Sequence, residues 1–180
     1  LTILAHLGMT GKFFIIGKNN KKQKTSFYYS IEKDESKHDH LTLYLNQGIK
    51  LIYNDVRKFG FLKVFKSKNL YKSNHLKFLG PEPLNKDFNL NYVTRYCLGK
   101  KKTIKNLLMD QKFVSGLGNI YCNEILFWCK IKPDRIIKKI NNKEFCNLIK
   151  YTKKILKIAI SKGGSSIKDF VNTEGKSGNF

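Results

Sequence analysis

Gly80-Pro81-Glu82-Pro83 is the segment that most restricts what this chain can become. Prolines at alternate positions cannot lie inside a helix or a paired central strand, because each lacks a backbone N–H and pushes the preceding residue out of the helical region. The apolar pattern changes character across this break. Before it, short runs at 3–7, 13–16, 49–53 and 61–65, and the alternation Leu41, Leu43, Leu45, predict strands. Asn46-Gln47-Gly48 reads as a hairpin turn, with glycine supplying a positive φ. The polar, lysine-rich stretch 17–26 reads as an exposed loop between strands.

After the break the spacing becomes helical. Ile104, Leu107 and Leu108 predict a helix over 101–110. Ile120, Ile125, Leu126 and Cys129 predict a second over 119–129, and Phe145, Ile149, Leu156 and Ala159 a third over 143–161. Asn141, three residues before Glu144, reads as a capping box for the third helix, and Gly163-Gly164 as its end. The expectation is an α+β chain with a β-rich domain over 1–80 and a helical domain over 81–180.

Lysine and arginine number 35 against 13 acids, a net charge of +22. Coding bias toward A/T accounts for much of the lysine excess, since only Arg57, Arg95 and Arg135 are arginines, but the sign points to a polyanionic partner. Cys97, Cys122, Cys129 and Cys146 form no C-x-x-C pair and stand at no zinc-ligand spacing with histidine, so they read as reduced, mostly buried thiols. No apolar run approaches the roughly 20 residues of a bilayer span and no secretory leader is visible, so a soluble, cytoplasmic protein is expected. Leu1-Thr2-Ile3-Leu4-Ala5 reads like the middle of a strand, which suggests a fragment.

Four segments carry candidate chemistry. Gly116-Leu117-Gly118-Asn119 opens a helix, where free amides and the helix dipole favour phosphate; a plain helix-helix turn capped by Asn fits equally well. Asp55-Val56-Arg57-Lys58-Phe59-Gly60 places a cation and an aromatic on a turn, suited to entering a duplex, or else a solvated hairpin with Phe59 in the core. In His6-Leu7-Gly8-Met9-Thr10-Gly11 the methionine is either a wedge for a base stack or a gap-filler in the core. The glycine-rich stretch from Gly163 to the end is either a loose tail or a loop over a small polar ligand such as an extruded base.

In order along the chain, His6-Leu7-Gly8-Met9, Lys37-His38-Asp39-His40, the Asp55 to Gly60 turn, Leu79-Gly80-Pro81-Glu82-Pro83-Leu84, the lysines at 101–105, Asp110-Gln111, Asn119-Ile120-Tyr121, Glu124-Ile125-Leu126-Phe127 and the glycine-rich end together resemble formamidopyrimidine-DNA glycosylases. The resemblance implies a β-sandwich, here incomplete, followed by a helical domain with a helix-two-turn-helix motif and then a zinc finger. It implies removal of 8-oxoguanine and formamidopyrimidines from double-stranded DNA and cleavage of the abasic strand, by a monomer associated with a bacterial nucleoid. On this similarity Met9, Arg57 and Phe59 fill the gap left by a flipped base. His6, His38, Arg57, Lys101 and Asn119 hold DNA, with Lys102 an alternative to Lys101. Ser165, Ser166, Ile167, Lys168, Asp169 and Phe170 belong to a loop that closes over the lesion.

The resemblance assigns no catalytic and no metal-binding residue to these positions: the family's N-terminal proline nucleophile, its glutamate and its hairpin lysine are expected before Leu1, and the zinc finger with its Zn2+ after Phe180. Val56 stands where the family usually has proline, and Lys58 where it has arginine. Two alternatives remain: a relative of endonuclease VIII acting on oxidised pyrimidines, which resembles neither the His-Leu-Gly-Met segment nor the loop after Gly163, and a non-catalytic basic protein that binds DNA or RNA.

Overall fold

The computed structural model describes residues 1–17, 22–24 and 36–164. An N-terminal β region precedes a helical one. The described residues divide into two compact units, 1–70 with the end of the last helix, and Tyr71–Ile160. This division falls earlier than the Gly80-Pro81 break because residue 80 is already bound to helical-unit backbone. Gly80 N–H donates to Gln111 O at 2.8 Å, and a Cβ on Gly80 would lie 2.4 Å from Phe113 O.

Unit 1 holds six strands: β1 (Thr2–His6), β2 (Gly11–Ile16), β3 (Lys22–Lys24), β4 (Asp39–Tyr44), β5 (Lys50–Asp55) and β6 (Phe61–Phe65). β1 and β6 pair antiparallel, and the other four form an antiparallel sheet in the order β3-β2-β5-β4. The apolar runs therefore fall on strands as expected. β3 is a correction: the backbone of 22–24 extends the sheet edge beside β2, although its sequence, Lys-Gln-Lys, carries no apolar signal. The β4–β5 turn puts Gln47 at φ 63° and Gly48 at φ 74°, closed by Leu45 N–H to Ile49 O at 2.8 Å. The core is small, with Phe14, Ile52 and Tyr53 buried.

Register fixes the geometry that matters. His6 pairs with Phe61, and Gly11 pairs with Asp55. The β1–β2 and β5–β6 connections thus leave one pair of facing residues and arrive at another, which sets the two turns side by side.

Unit 2 holds α1 (Leu90–Cys97), α2 (Ile104–Leu108), α3 (Asn119–Cys129) and α4 (Asn142–Ser161). α1 lies outside the sequence expectations; its cap is Asn89, whose side chain accepts from Tyr92 N–H at 3.0 Å. α2 is shorter than expected because Thr103, not residue 101, caps it. Phe88, Val93, Ile104, Leu107, Leu108, Phe113, Cys122, Ile125 and Leu148 are fully buried and form the core. Cys97 and Cys122 are buried, but Cys129 is only partly so and Cys146 is exposed, so burial of the thiols is less general than the sequence suggested.

The capping box at α4 is present in full. Asn141 N–H donates to Glu144 Oε2 at 2.9 Å, and Glu144 N–H to Asn141 Oδ1 at 3.0 Å. Arg135 pairs with the same carboxylate. The Asn141 amide, then the Arg135 guanidinium, hold the Glu144 carboxyl below its ordinary value of 4.5. A depressed folded-state pKa stabilises the fold above the unfolded value and loses that effect as pH falls through the folded one. The melting temperature of Glu144→Gln should therefore lie below that of the native protein at pH 7, and the difference should shrink as pH falls below the ordinary carboxylate range. A difference independent of pH would contradict the assignment.

Candidate nucleic-acid interface

The two side-by-side turns of unit 1 bring together residues 45 or more positions apart. In the first, Gly8 adopts φ 59° and Gly11 N–H closes onto Leu7 O at 2.8 Å. A Cβ on Gly8 would lie 2.8 Å from the Phe59 backbone, so glycine is what lets the turns touch. The turn exposes Met9, at 62%. The second exposes Arg57 and Phe59, the latter at 57%, with Lys58 at φ 57°. Arg57 Nη1 lies 3.1 Å from Met9 Sδ, and its guanidinium carbon sits 4.7 Å from the Phe59 ring centroid. The structure thus brings Met9, Arg57 and Phe59 into one exposed cluster and leaves neither Phe59 nor Met9 in the core.

Beneath the cluster lies Asp55, 1% exposed at the end of β5. Oδ1 accepts from Thr10 Oγ1 at 2.5 Å, and Oδ2 accepts from Gly60 N–H at 2.8 Å and from Tyr53 OH at 3.0 Å. Burial pushes the carboxyl up, but the Thr10 hydroxyl, the Gly60 amide, the Tyr53 hydroxyl and the Lys58 amide outweigh it and hold the group below the ordinary carboxylate range. Burial, reinforced by Asp55, pushes the Tyr53 hydroxyl up to about 12, so it stays a donor. Gly60 has no room for a side chain, since a Cβ would lie 2.0 Å from Tyr53 OH. Thr10 and Asp55 as supports were not foreseen, because the bond that joins them spans 45 positions of sequence.

His6 is exposed, accepts from Gly8 N–H at Nδ1 (3.0 Å), and stacks on Phe61 with centroids 5.3 Å apart. His38 is half-buried in the short turn before β4. In unit 2, Asn119 is the first residue of α3 and exposed; the cap position is Gly118, with no side-chain cap bond, so the alternative of an Asn cap does not hold. Glycine at the cap position thus offers no side-chain acceptor of its own to the first turn of α3. Gln111 braces the turn before it, accepting from Gly116 N–H at 2.7 Å and donating to Leu117 O at 2.8 Å. Lys101 is exposed, whereas Lys102 pairs with Asp110 at 2.9 Å, which leaves Lys101 the better placed to meet an outside anion. Ser165, Ser166, Ile167, Lys168, Asp169 and Phe170 lie outside the described residues. No group of three or more His, Cys, Asp or Glu that could hold a metal occurs among the described residues.

The formamidopyrimidine-DNA glycosylase N-terminal domain matches residues 1–62, and the formamidopyrimidine-DNA glycosylase H2TH domain matches residues 79–171. The chain belongs to the formamidopyrimidine-DNA glycosylase family. A formamidopyrimidine-DNA glycosylase of Legionella pneumophila (strain Paris) is 41% identical over 178 residues, covering 99% of this chain and 60% of that protein. One from Rickettsia bellii is 40% identical over 179 residues, with the same two coverages. The Lactococcus lactis glycosylase in complex with abasic-site DNA superposes with a TM-score of 0.76 at 32% identity, covering 98% of this chain and 60% of that one. MutM in complex with DNA containing carbocyclic 8-oxoguanine gives 0.74 at 33% identity, covering 92% and 57%. The chain spans about 60% of the length of the curated formamidopyrimidine-DNA glycosylases it matches.

Proposed function

We propose that the protein is a base-excision DNA glycosylase with abasic-site lyase activity that removes oxidised purines, 8-oxoguanine and formamidopyrimidines, from duplex DNA, and that this chain carries the part that grips the duplex and fills the gap. The exposed Met9–Arg57–Phe59 cluster carries this reading. A base swung out of a duplex leaves a hole that must be filled and a partner base that has lost its hydrogen bonds. A thioether fills an irregular space, a guanidinium offers a planar fork of donors to the orphaned base, and a ring wedges against the neighbouring base.

Phosphate contacts hold the register of such a complex and read no sequence. The open N-terminus of α3 with Asn119, and Lys101, His38 and His6, are assigned to this task. The loop from Ser165 to Phe170 is assigned to the extruded base. The net charge of +22 suits association with a chromosome.

The bond-breaking groups belong to the full-length protein. An amine nucleophile there attacks the sugar C1′, and the resulting Schiff base leads to strand cleavage. Zinc is assigned to the full-length protein and not to this chain, whose four cysteines form no C-x-x-C pair and stand at no zinc-ligand spacing with histidine.

Borohydride trapping of the full-length protein on duplexes carrying either 8-oxoguanine or thymine glycol tests the proposal. A covalent adduct and faster release of 8-oxoguanine are expected. Faster release of thymine glycol would move the protein to the endonuclease VIII branch, and absence of an adduct would remove the lyase assignment.

A further inference from the structure

We propose that Thr10 and Asp55 are positioning residues that fix the reach of the gap-filling cluster by clamping its two turns together. The inference rests on the reading of Met9, Arg57 and Phe59 given above, and adds the groups that make those side chains a preformed tool.

Asp55 ends β5, level with Gly11 across the sheet, and its carboxylate lies beneath both turns. As a carboxylate it can only accept, so the Thr10 hydroxyl must give its proton to Asp55 Oδ1. That leaves the oxygen of the same hydroxyl to accept, and it accepts from Arg57 N–H at 3.0 Å. One hydroxyl thereby connects a buried anion in one strand end to the backbone of the arginine in the other turn. The second carboxylate oxygen holds Gly60 N–H. Each gap-filling residue is thus tied to the clamp through the main chain: Met9 precedes Thr10, Arg57 is bound through its own amide, and Phe59 precedes Gly60.

The clamp is fastened from behind as well. Tyr53 OH donates to Asp55 Oδ2, and His40 Nε2 lies 2.8 Å from the Asp55 carbonyl oxygen. The tips themselves are exposed and gain little rigidity from packing. Holding them at the spacing of a missing base depends on hydrogen bonds below, and a loosened tip would have to be ordered at the cost of binding.

The clamp predicts a defect confined to damaged DNA. In the full-length protein, dissociation constants are measured for a duplex with a tetrahydrofuran abasic analogue and for the same duplex undamaged. Thr10→Val keeps the shape and removes both hydrogen bonds; the preference for the abasic duplex should fall about tenfold, the scale of one lost hydrogen bond in a charged network. Thr10→Ser keeps the hydroxyl and should retain the preference. Asp55→Asn is the direct variant, but a buried replacement can unfold the sheet, so Thr10→Val decides. If Thr10→Val keeps the preference while Arg57→Ala loses it, the clamp is wrong and the gap-filling reading stands. If Arg57→Ala also keeps it, that reading falls and takes the clamp with it.

Discussion

Replacing Arg57 with alanine in the full-length protein is expected to weaken binding to an abasic-site duplex by about ten- to a hundredfold, the value of one bidentate contact to a base edge. Binding to the undamaged duplex should change much less. The side chain stands at an exposed tip with Met9 on one side and the Phe59 ring on the other. On the proposed gap-filling role, its removal costs the orphaned base its donors, and it leaves two apolar groups without the cation that spaces them. Lys58 is next in the chain and exposed, so general attraction to phosphate persists. Titrations of both duplexes by fluorescence anisotropy would show the split; equal losses on both would mean that Arg57 is only one more contact to the backbone.

The largest effect on stability is expected from Phe113→Ala. Phe113 is fully buried between Phe88, Tyr92 and Tyr96, with ring centroids 5.9, 6.0 and 5.0 Å away. Its carbonyl also accepts from Tyr92 OH at 2.7 Å. Truncation removes the ring and leaves a cavity, at a cost of about 3–5 kcal/mol. Against a typical total of about 5–15 kcal/mol, that is enough to unfold much of the helical unit near physiological temperature. Urea unfolding followed by circular dichroism would measure it, and a loss below about 1 kcal/mol would show that the neighbouring rings close the space. The same change says nothing about lesion preference, which separates the two predictions.

What the sequence disclosed was mostly what neighbours in the chain decide. Asn141 and Glu144 lie three residues apart, and their capping box needs no distant partner. The 119–129 pattern matches α3 residue for residue, because its apolar positions recur at the helical period. α1 escaped notice for a local reason too: it has only 8 residues, Val93 and Cys97 are its buried positions, and much of the rest of its packed stripe is tyrosine, Tyr92 and Tyr96. β3 had no signal to read, since three polar residues form a strand only through the backbone of β2 beside them.

The site divides in the same way. Met9, Arg57 and Phe59 could be named as candidates from glycine-flanked turns, but whether each was buried or exposed could not be decided before the register placed one turn against the other. Asp55 lay in plain view within a recognisable segment, yet its role depends on a hydroxyl 45 positions earlier. For Asn119 the sequence left a capping asparagine and a donor to phosphate equally open, and the structure gives the cap position to Gly118.

The distance in sequence between Thr10 and Arg57 has a consequence for how the protein behaves when heated. The proposed attraction to DNA would reside in the lysines and would survive unfolding, because a disordered chain keeps its charge. The proposed discrimination would not survive, because the cluster that carries it is assembled only while two remote turns stay packed together. Near its melting point such a protein would still coat DNA while no longer telling damaged from intact, becoming a counterion where it had been an inspector.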